Sequence, residues 1–161
     1  MKYGRWALLA ILMGIVAVAQ PAAASGMMMQ KSGKEGGGKK QDPDRAIANL
    51  IREMQMDLES ASGRGFLSKL DSAKFDDYPR FEDMIERLTR EDTLRVYFRQ
   101  ANSSVKADSA QTMIDAEMEM TRKDAAAQLQ RRRQQIVIDF QLTDRGWKII
   151  NITPREFFQP L

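Results

Sequence analysis

The spacing of the apolar residues changes from a helical period to an alternating period near residue 93, and this change limits the fold more than any other feature. Before it, apolar residues recur every three or four positions in two segments that follow the helix-start signals Asp42-Pro43 and Asp76-Asp77-Tyr78-Pro79. The two predicted helical stripes are Ile47, Leu50, Ile51, Met54 and Leu58, then Phe81, Met84, Ile85 and Leu88. Ser60–Gly65 breaks the first helix, and Arg90–Asp92 ends the second. Phe66, Leu67 and Leu70 fit a short helix between them.

After residue 93, apolar and polar residues alternate, which is typical of strands with one buried face. Four segments show the strand pattern: Leu94–Phe98, Thr112–Met120, Ile136–Leu142 and Trp147–Ile152. We expect a tight turn at Thr143–Gly146 and longer connections at 103–110 and 123–130, the latter with a helical turn at Ala125–Ala127. Helices followed by strands predict an α+β fold, in which N-terminal helices pack on a curved four-stranded antiparallel sheet.

Alternation also predicts what each face of the sheet carries. The face toward the helices has no ionisable group and includes Leu94, Val96, Phe98, Ile114, Ala116, Met118, Ile136, Ile138 and Phe140. The opposite face has Asp115, Glu117, Glu119 and Asp139 beside Arg95, Arg99, Arg131 and Arg133, which favours cross-strand ion pairs, although paired carboxylates can also serve catalysis or hold a cation. Arg132 should point away from Arg131 and Arg133.

The N-terminus has the order of parts found in a secretory signal peptide. Lys2 and Arg5 precede a 14-residue apolar run from Trp6 to Ala19, and Ala22–Ala24 offers a cleavage site before Ser25. The run is shorter than the roughly 20 residues of a spanning helix, so no stable membrane span is expected after cleavage. We therefore predict a signal peptide at 1–24, a flexible Gly/Lys-rich linker at 25–41 and one domain at 42–161. The protein would be exported to a bacterial periplasm or medium.

Composition excludes several chemistries. The chain of 161 residues has no Cys and no His, so disulfides, thiol nucleophiles, Ser-His-Asp triads and ordinary zinc sites cannot form. Residues 41–161 contain 19 basic and 21 acidic side chains, and this near-neutral balance gives little support for a nucleic-acid partner. We expect no cofactor and no metal.

The order of the predicted helices and strands resembles that of the nuclear transport factor 2-like superfamily. The segment Gly146–Ile152, followed by Pro154 and Phe157-Phe158, is similar to the closing strand and aromatic tail of many of its domains. Phe66-Leu67 and Tyr78–Phe81 are similar to the segments that close its cone-shaped, cystatin-like α+β roll. Together with the predicted signal peptide, the resemblance implies an exported bacterial member of this superfamily. It includes ketosteroid isomerase, scytalone dehydratase and SnoaL-like cyclases, but also many non-catalytic domains, so the fold does not decide function. The enzymes' catalytic pattern has no residue-by-residue match here, and no catalytic residue is assigned.

We predict two candidate surfaces. A pocket for a small apolar ligand in the cone would be lined by Phe66, Tyr78, Phe81, Phe98, Met118, Phe140 and Trp147. The alternative is that the apolar side chains in the cone only fill the core. An interface on the opposite sheet face, where members of this superfamily often form dimers, would include Arg95, Tyr97, Asp115, Glu117, Arg131 and Arg133. Asp76, Asp77 and Tyr78 near the cone mouth could contact a ligand or cap a helix. The leading hypothesis is an exported non-catalytic binding domain. A lyase or isomerase of the ketosteroid isomerase or SnoaL-like type, and a structural envelope assembly subunit, are the alternatives.

Overall fold

A computed structural model describes residues 42–124 and 129–161. The predicted signal peptide, the predicted linker before Asp42 and the predicted helical turn at Ala125–Ala127 lie outside these residues. The described elements are α1 (Pro43–Glu59), α2 (Gly63–Leu67), α3 (Tyr78–Glu91), β1 (Asp92–Val105), β2 (Ser109–Arg122), β3 (Leu129–Thr143), β4 (Gly146–Thr153) and a 3₁₀ helix (Arg155–Phe158). The α+β prediction is confirmed.

The helix boundaries follow from local chemistry. The Asp42 carboxylate accepts a hydrogen bond from the Asp44 amide at 3.2 Å, and Pro43 occupies the first turn of α1, where a missing N–H costs nothing. The Ser62 hydroxyl caps α2 by accepting from the Gly65 amide. Asp77 precedes α3 with a φ of 48°, and its side chain makes no capping hydrogen bond. Side-chain capping is therefore not the role of Asp77.

The sheet is antiparallel with the strand order β1-β2-β3-β4. Its strands are longer than the alternation indicates, because Ser103–Val105, Ser109–Gln111 and Leu129–Gln130 continue the ladder. Most of these side chains are exposed to solvent whichever face of the sheet they are on. Their sequence therefore lacks the apolar alternation that marks the other parts of the strands. The ladder is irregular between Gln100 and Asn102 in β1.

The helices cover one face of the sheet, and the core lies between them. The buried stripes are Ile47, Ile51, Met54 and Leu58 of α1 and Phe81, Ile85 and Leu88 of α3. They pack with the inner side chains Leu94, Val96, Ile114, Met118, Ile136, Ile138 and Phe140. Among the described residues, no helix is long and apolar enough to cross a membrane.

The outer edge of β4 is closed by the segment after α2. The Ile149 amide donates to the Lys69 carbonyl at 3.0 Å, and the Asp71 amide donates to the Ile149 carbonyl at 2.8 Å. Leu70 thereby forms a parallel bridge with Ile149. Because backbone pairing satisfies both groups of Ile149, β4 offers little of its edge to another strand there.

Candidate functional site: the cone and the outer sheet face

The seven residues predicted to line an apolar pocket all lie in or against the core. Phe66, Phe81, Met118 and Phe140 are fully buried. The other three, Tyr78, Phe98 and Trp147, are partly buried and pack against the same core. The structure thus brings these side chains to the space between helices and sheet, where an apolar ligand would have to fit.

The 3₁₀ helix places Phe157 and Phe158 in that space. The ring centroid of Phe158 lies 5.6 Å from Phe66 and 5.7 Å from Phe81, and Phe157 lies 6.3 Å from Phe98. Both rings are fully buried and meet edge to face, an arrangement that aromatic pairs favour. The protein's own C-terminal phenylalanines therefore occupy the volume between three of the predicted pocket residues.

Arg132 holds this C-terminal segment against the sheet. It points away from Arg131 and Arg133, as predicted, and its Nη1 donates to the carbonyl oxygens of Glu156, Phe157 and Gln159 at 3.1, 2.7 and 2.9 Å. Burial lowers the pKa of Arg132 from its ordinary value. Arginine is suited to this position because its charge strengthens hydrogen bonds to several carbonyls at once.

Asp92 and Arg122 complete the attachment. The Asp92 side chain is 1% exposed, its Oδ2 accepts from the Leu161 amide at 3.3 Å, and its Oδ1 has no hydrogen-bond partner among the described residues. Arg122, opposite Asp92 in the ladder, donates to the Leu161 carbonyl at 2.6 Å. Sequence analysis missed these roles, because it placed Asp92 only at the end of the second predicted helix and assigned no role to Arg122.

The outer sheet face is an ordered band of charges around one exposed tyrosine. Arg131 pairs with Glu119 and lies 3.1 Å from Glu117. Arg133 donates to both Glu117 oxygens, at 2.8 and 3.2 Å. Tyr97 lies opposite Glu117 in the ladder, and 53% of it is exposed. The predicted cross-strand ion pairs are confirmed by these distances.

A further ion pair extends the band toward the middle of β1. Arg99 donates to the Asp115 carboxylate at 2.7 Å, and Gln135 donates to the other oxygen at 3.1 Å. The hydrogen bond from Arg99, supported by that from Gln135, holds the pKa of Asp115 below its usual value. The hydrogen bond to Glu119 likewise raises the pKa of Arg131. Both shifts favour the ionised forms of Asp115 and Arg131.

Five side chains of this charged face, Tyr97, Arg99, Asp115, Glu117 and Arg133, help to line a shallow depression of about 580 Å³. We name this surface the outer-face band and define it by Arg95, Tyr97, Arg99, Asp115, Glu117, Glu119, Arg131 and Arg133. It includes every residue of the predicted interface. Tyr97 provides an aromatic surface in the lining of the depression, and ion pairs join the charged side chains around it.

The polar residues predicted near the cone mouth lie beside a smaller depression of about 230 Å³. Asp77 and Arg155 both line it. The guanidinium carbon of Arg155 lies 4.7 Å from the centre of the Phe75 ring, and its Nη2 lies 3.9 Å from Asp76 Oδ2. Partial burial, then the charges of Glu82 and Glu86, raise the pKa of Tyr78. A tyrosine with a raised pKa stays protonated at neutral pH, so it could donate a hydrogen bond but would not act as a base there.

No group of three or more Asp and Glu side chains suited to a metal ion occurs within residues 42–124 and 129–161. The carboxylates of the outer-face band face arginines instead. Their arrangement fits charge pairing within the sheet better than it fits a cation.

Comparison with known proteins identifies the fold. The chain matches no protein-family model and no curated protein sequence. It is similar in structure to a proposed aromatic ring hydroxylase from Novosphingobium aromaticivorans, with a TM-score of 0.61, 13% identity and coverage of 68% of this chain and 85% of that chain. A proposed dehydratase of the NTF2-like family from Streptomyces avermitilis gives a TM-score of 0.54, 13% identity and coverage of 69% and 95%.

A proposed calcium/calmodulin-dependent protein kinase II association domain from Xanthomonas campestris is similar over 67% of this chain and 83% of that chain, with a TM-score of 0.54 and 14% identity. Similarity at these identities concerns the fold alone, and the functions named for these three proteins differ. The described part of this chain therefore has the fold of the nuclear transport factor 2-like superfamily.

Proposed function

We propose that the protein is an exported, non-catalytic binding domain that associates with a second copy of itself through the outer-face band. The observation that carries the proposal is the contrast between the two faces of the sheet. The inner face is packed against the protein's own phenylalanines, whereas the outer face exposes Tyr97 among ordered ion pairs.

The chemistry of the band suits a protein interface. Tyr and Arg are enriched at interfaces, since both offer large contact surfaces together with hydrogen-bonding groups. Three neighbouring strands carry charges of alternating sign on this face. The charge is basic on β1 (Arg95 and Arg99), acidic on β2 (Glu117) and basic on β3 (Arg133). Two copies of such a surface can place basic stripes against acidic ones around a two-fold axis, which gives charge complementarity without a second kind of partner. The similarity to a proposed association domain agrees with such a role.

The test is the oligomeric state of the purified protein, measured by native mass spectrometry and sedimentation equilibrium. We expect a dimer, and we expect Arg133→Glu and Tyr97→Ala to shift it toward monomer. Arg87→Glu makes the same charge change on the exposed face of α3 and should leave the dimer intact. A monomeric wild-type protein, or a dimer that both band variants leave unchanged, would contradict the proposal.

A small apolar ligand in the cone is the second candidate function. The clustering of the predicted lining residues favours it, whereas the presence of Phe157 and Phe158 among them opposes it. Native mass spectra of the purified protein, repeated after denaturation, separate the two. Extra mass that disappears on denaturation would favour the ligand, and a mass equal to that of the chain alone would favour the packed cone.

A lyase or isomerase is less well supported. Among the described residues, Asp92 is the buried carboxylate, and the Leu161 amide and Arg122 lie against it. A general base must reach a substrate proton within hydrogen-bond distance, and the C-terminal segment covers this one. Asp92→Asn would leave the dimer unaffected under our proposal, since Asp92 is buried on the inner face of the sheet and the outer-face band is on the other face.

Export is proposed from the N-terminal sequence. We expect the mature protein to begin at Ser25, after the small residues Ala22–Ala24. Expression of the full chain in a Gram-negative host, followed by fractionation and intact mass measurement, tests this. Recovery of the uncleaved chain from the cytoplasm would contradict it.

A further inference from the structure

We propose that the last six residues of β1, Gln100–Val105, bind an extended peptide as an additional strand, and that this peptide has an acidic side chain at each end. We name this segment the distal edge. It belongs to β1, an edge strand of the sheet, and its sequence, Gln-Ala-Asn-Ser-Ser-Val, has no charged side chain. Its six residues lie outside the outer-face band and adjoin that band at Arg99, and the proposal does not rest on the function proposed for the band.

The first half of the same edge is closed by side chains of α1. The Val96 amide donates to Glu59 Oε1 at 3.0 Å, and the Phe98 amide donates to Gln55 Oε1 at 3.4 Å. These contacts satisfy the amides that would otherwise pair with a neighbouring strand. Coverage by a helix is one of the ways in which proteins protect a sheet edge.

The distal edge lacks this protection. Lys106 donates its amide to the Ser109 carbonyl at 2.8 Å, so alternation along the ladder directs the amides of Asn102 and Ser104 toward β2 and those of Ser103 and Val105 away from it. No helix or strand within the described residues pairs with that side. The segment is also free of the lysines and prolines that commonly discourage strand addition.

The charges at the two ends of the distal edge select the occupant. Arg99 precedes it with a side chain that is 83% exposed, and exposed Lys106 follows it. Asp115 engages one nitrogen of Arg99, which leaves other donors of the guanidinium for a ligand. A second copy of this chain, paired antiparallel, would bring Arg99 beside the partner's lysine, and like charges would oppose that pairing. An extended peptide with acidic ends complements both charges.

The test uses a fluorescein-labelled synthetic peptide, Glu-Thr-Val-Thr-Val-Thr-Thr-Glu, titrated with the full-length protein by fluorescence anisotropy. Main-chain hydrogen bonds supply most of the affinity in strand addition, so the central residues need only favour an extended chain. We expect Lys106→Glu to weaken binding by about tenfold or more. Arg145→Glu, the same charge change in the exposed β3–β4 turn, should leave binding unchanged.

Two altered peptides complete the design. Replacing both glutamates by lysine should abolish binding to the wild-type protein and restore it partly in Lys106→Glu. Methylating alternate backbone nitrogens removes the donors on one edge of the peptide, and one of the two alternating sets should abolish binding. The proposal is overturned if the acidic peptide does not bind up to about 1 mM. Binding that survives both methylated sets also overturns it, as does a change of oligomeric state in Lys106→Glu without peptide binding, which would identify a second copy as the occupant.

Discussion

Replacing Phe158 by Ala measures how much the packed cone contributes to stability. The Phe158 ring is fully buried, with the ring centres of Phe66, Phe81 and Phe157 between 5.1 and 5.7 Å away. The substitution removes a phenyl group and leaves a cavity bounded by these rings. Such changes cost about 3–5 kcal/mol in the free energy of unfolding. That is a large part of the 5–15 kcal/mol or so that holds a typical domain together.

The assay is urea unfolding of the full-length protein, followed by circular dichroism and extrapolated to water. We also expect the melting temperature to fall by roughly 10–20 °C. Met56→Ala is the control, because it truncates an apolar side chain that is 60% exposed on α1, outside the outer-face band, and should change stability little. A loss below about 1.5 kcal/mol for Phe158→Ala would refute the reasoning, since only a loosely packed ring could be removed at so small a cost.

Three further predictions concern the hydrogen bonds of Arg132 to the C-terminal segment, the tight packing around Gly65, and the ion pair between Arg99 and Asp115. Arg132→Met removes the donor to three carbonyls and should cost about 1–2 kcal/mol in urea unfolding, whereas Arg87→Met on the exposed face of α3 should change stability little; equal effects would contradict the anchoring role. Gly65→Ala places a methyl carbon 2.5 Å from a serine hydroxyl and should cost roughly 1–2 kcal/mol, so an unchanged urea midpoint would count against that geometry. Arg99→Gln removes the main cause of the low pKa of Asp115, and a carboxyl-carbon NMR titration should show that pKa rising toward its usual value. Because folding lowers that pKa, ionised Asp115 stabilises the folded state at pH values above its ordinary pKa. This stabilisation is lost as the pH falls through the pKa of the folded protein, so Arg99→Gln should lose less stability than the wild type on acidification. An unchanged titration would contradict the role of Arg99.

The fold and the two faces of the sheet could be predicted because they depend on short-range periodicity. The stripes at Ile47–Leu58 and Phe81–Leu88 are buried as the helical spacing predicts. The alternation in β2 and β3 separates the apolar inner side chains from the ion pairs of the outer face. A period of two assigns each residue to a face without knowledge of its partner, so the composition of both faces follows from the sequence.

The parts that could not be predicted depend on contacts between distant residues. The sequence around Phe157-Phe158 indicates an aromatic tail, but its insertion beside Phe66 requires the path of the chain after β4. The hydrogen bonds of Arg132 join residues 24 to 27 positions apart. Those from β1 to α1 join residues 37 and 43 positions apart. No local pattern distinguishes these side chains from ordinary polar residues at strand and helix surfaces.

The charge ladder of the outer face has a consequence for how β2 and β3 find their alignment. Arg131 already contacts both Glu117 and Glu119, so a slip of two residues would leave it opposite Glu117 and would put Arg133 opposite Asp115. The ion pairs alone would tolerate this misalignment. On the inner face, the same slip would replace Ala110 by Asp108 opposite Phe140, which would bury a carboxylate without a partner. The apolar face therefore determines the register of the two strands. The ion pairs of the charged face stabilise that register but do not select it.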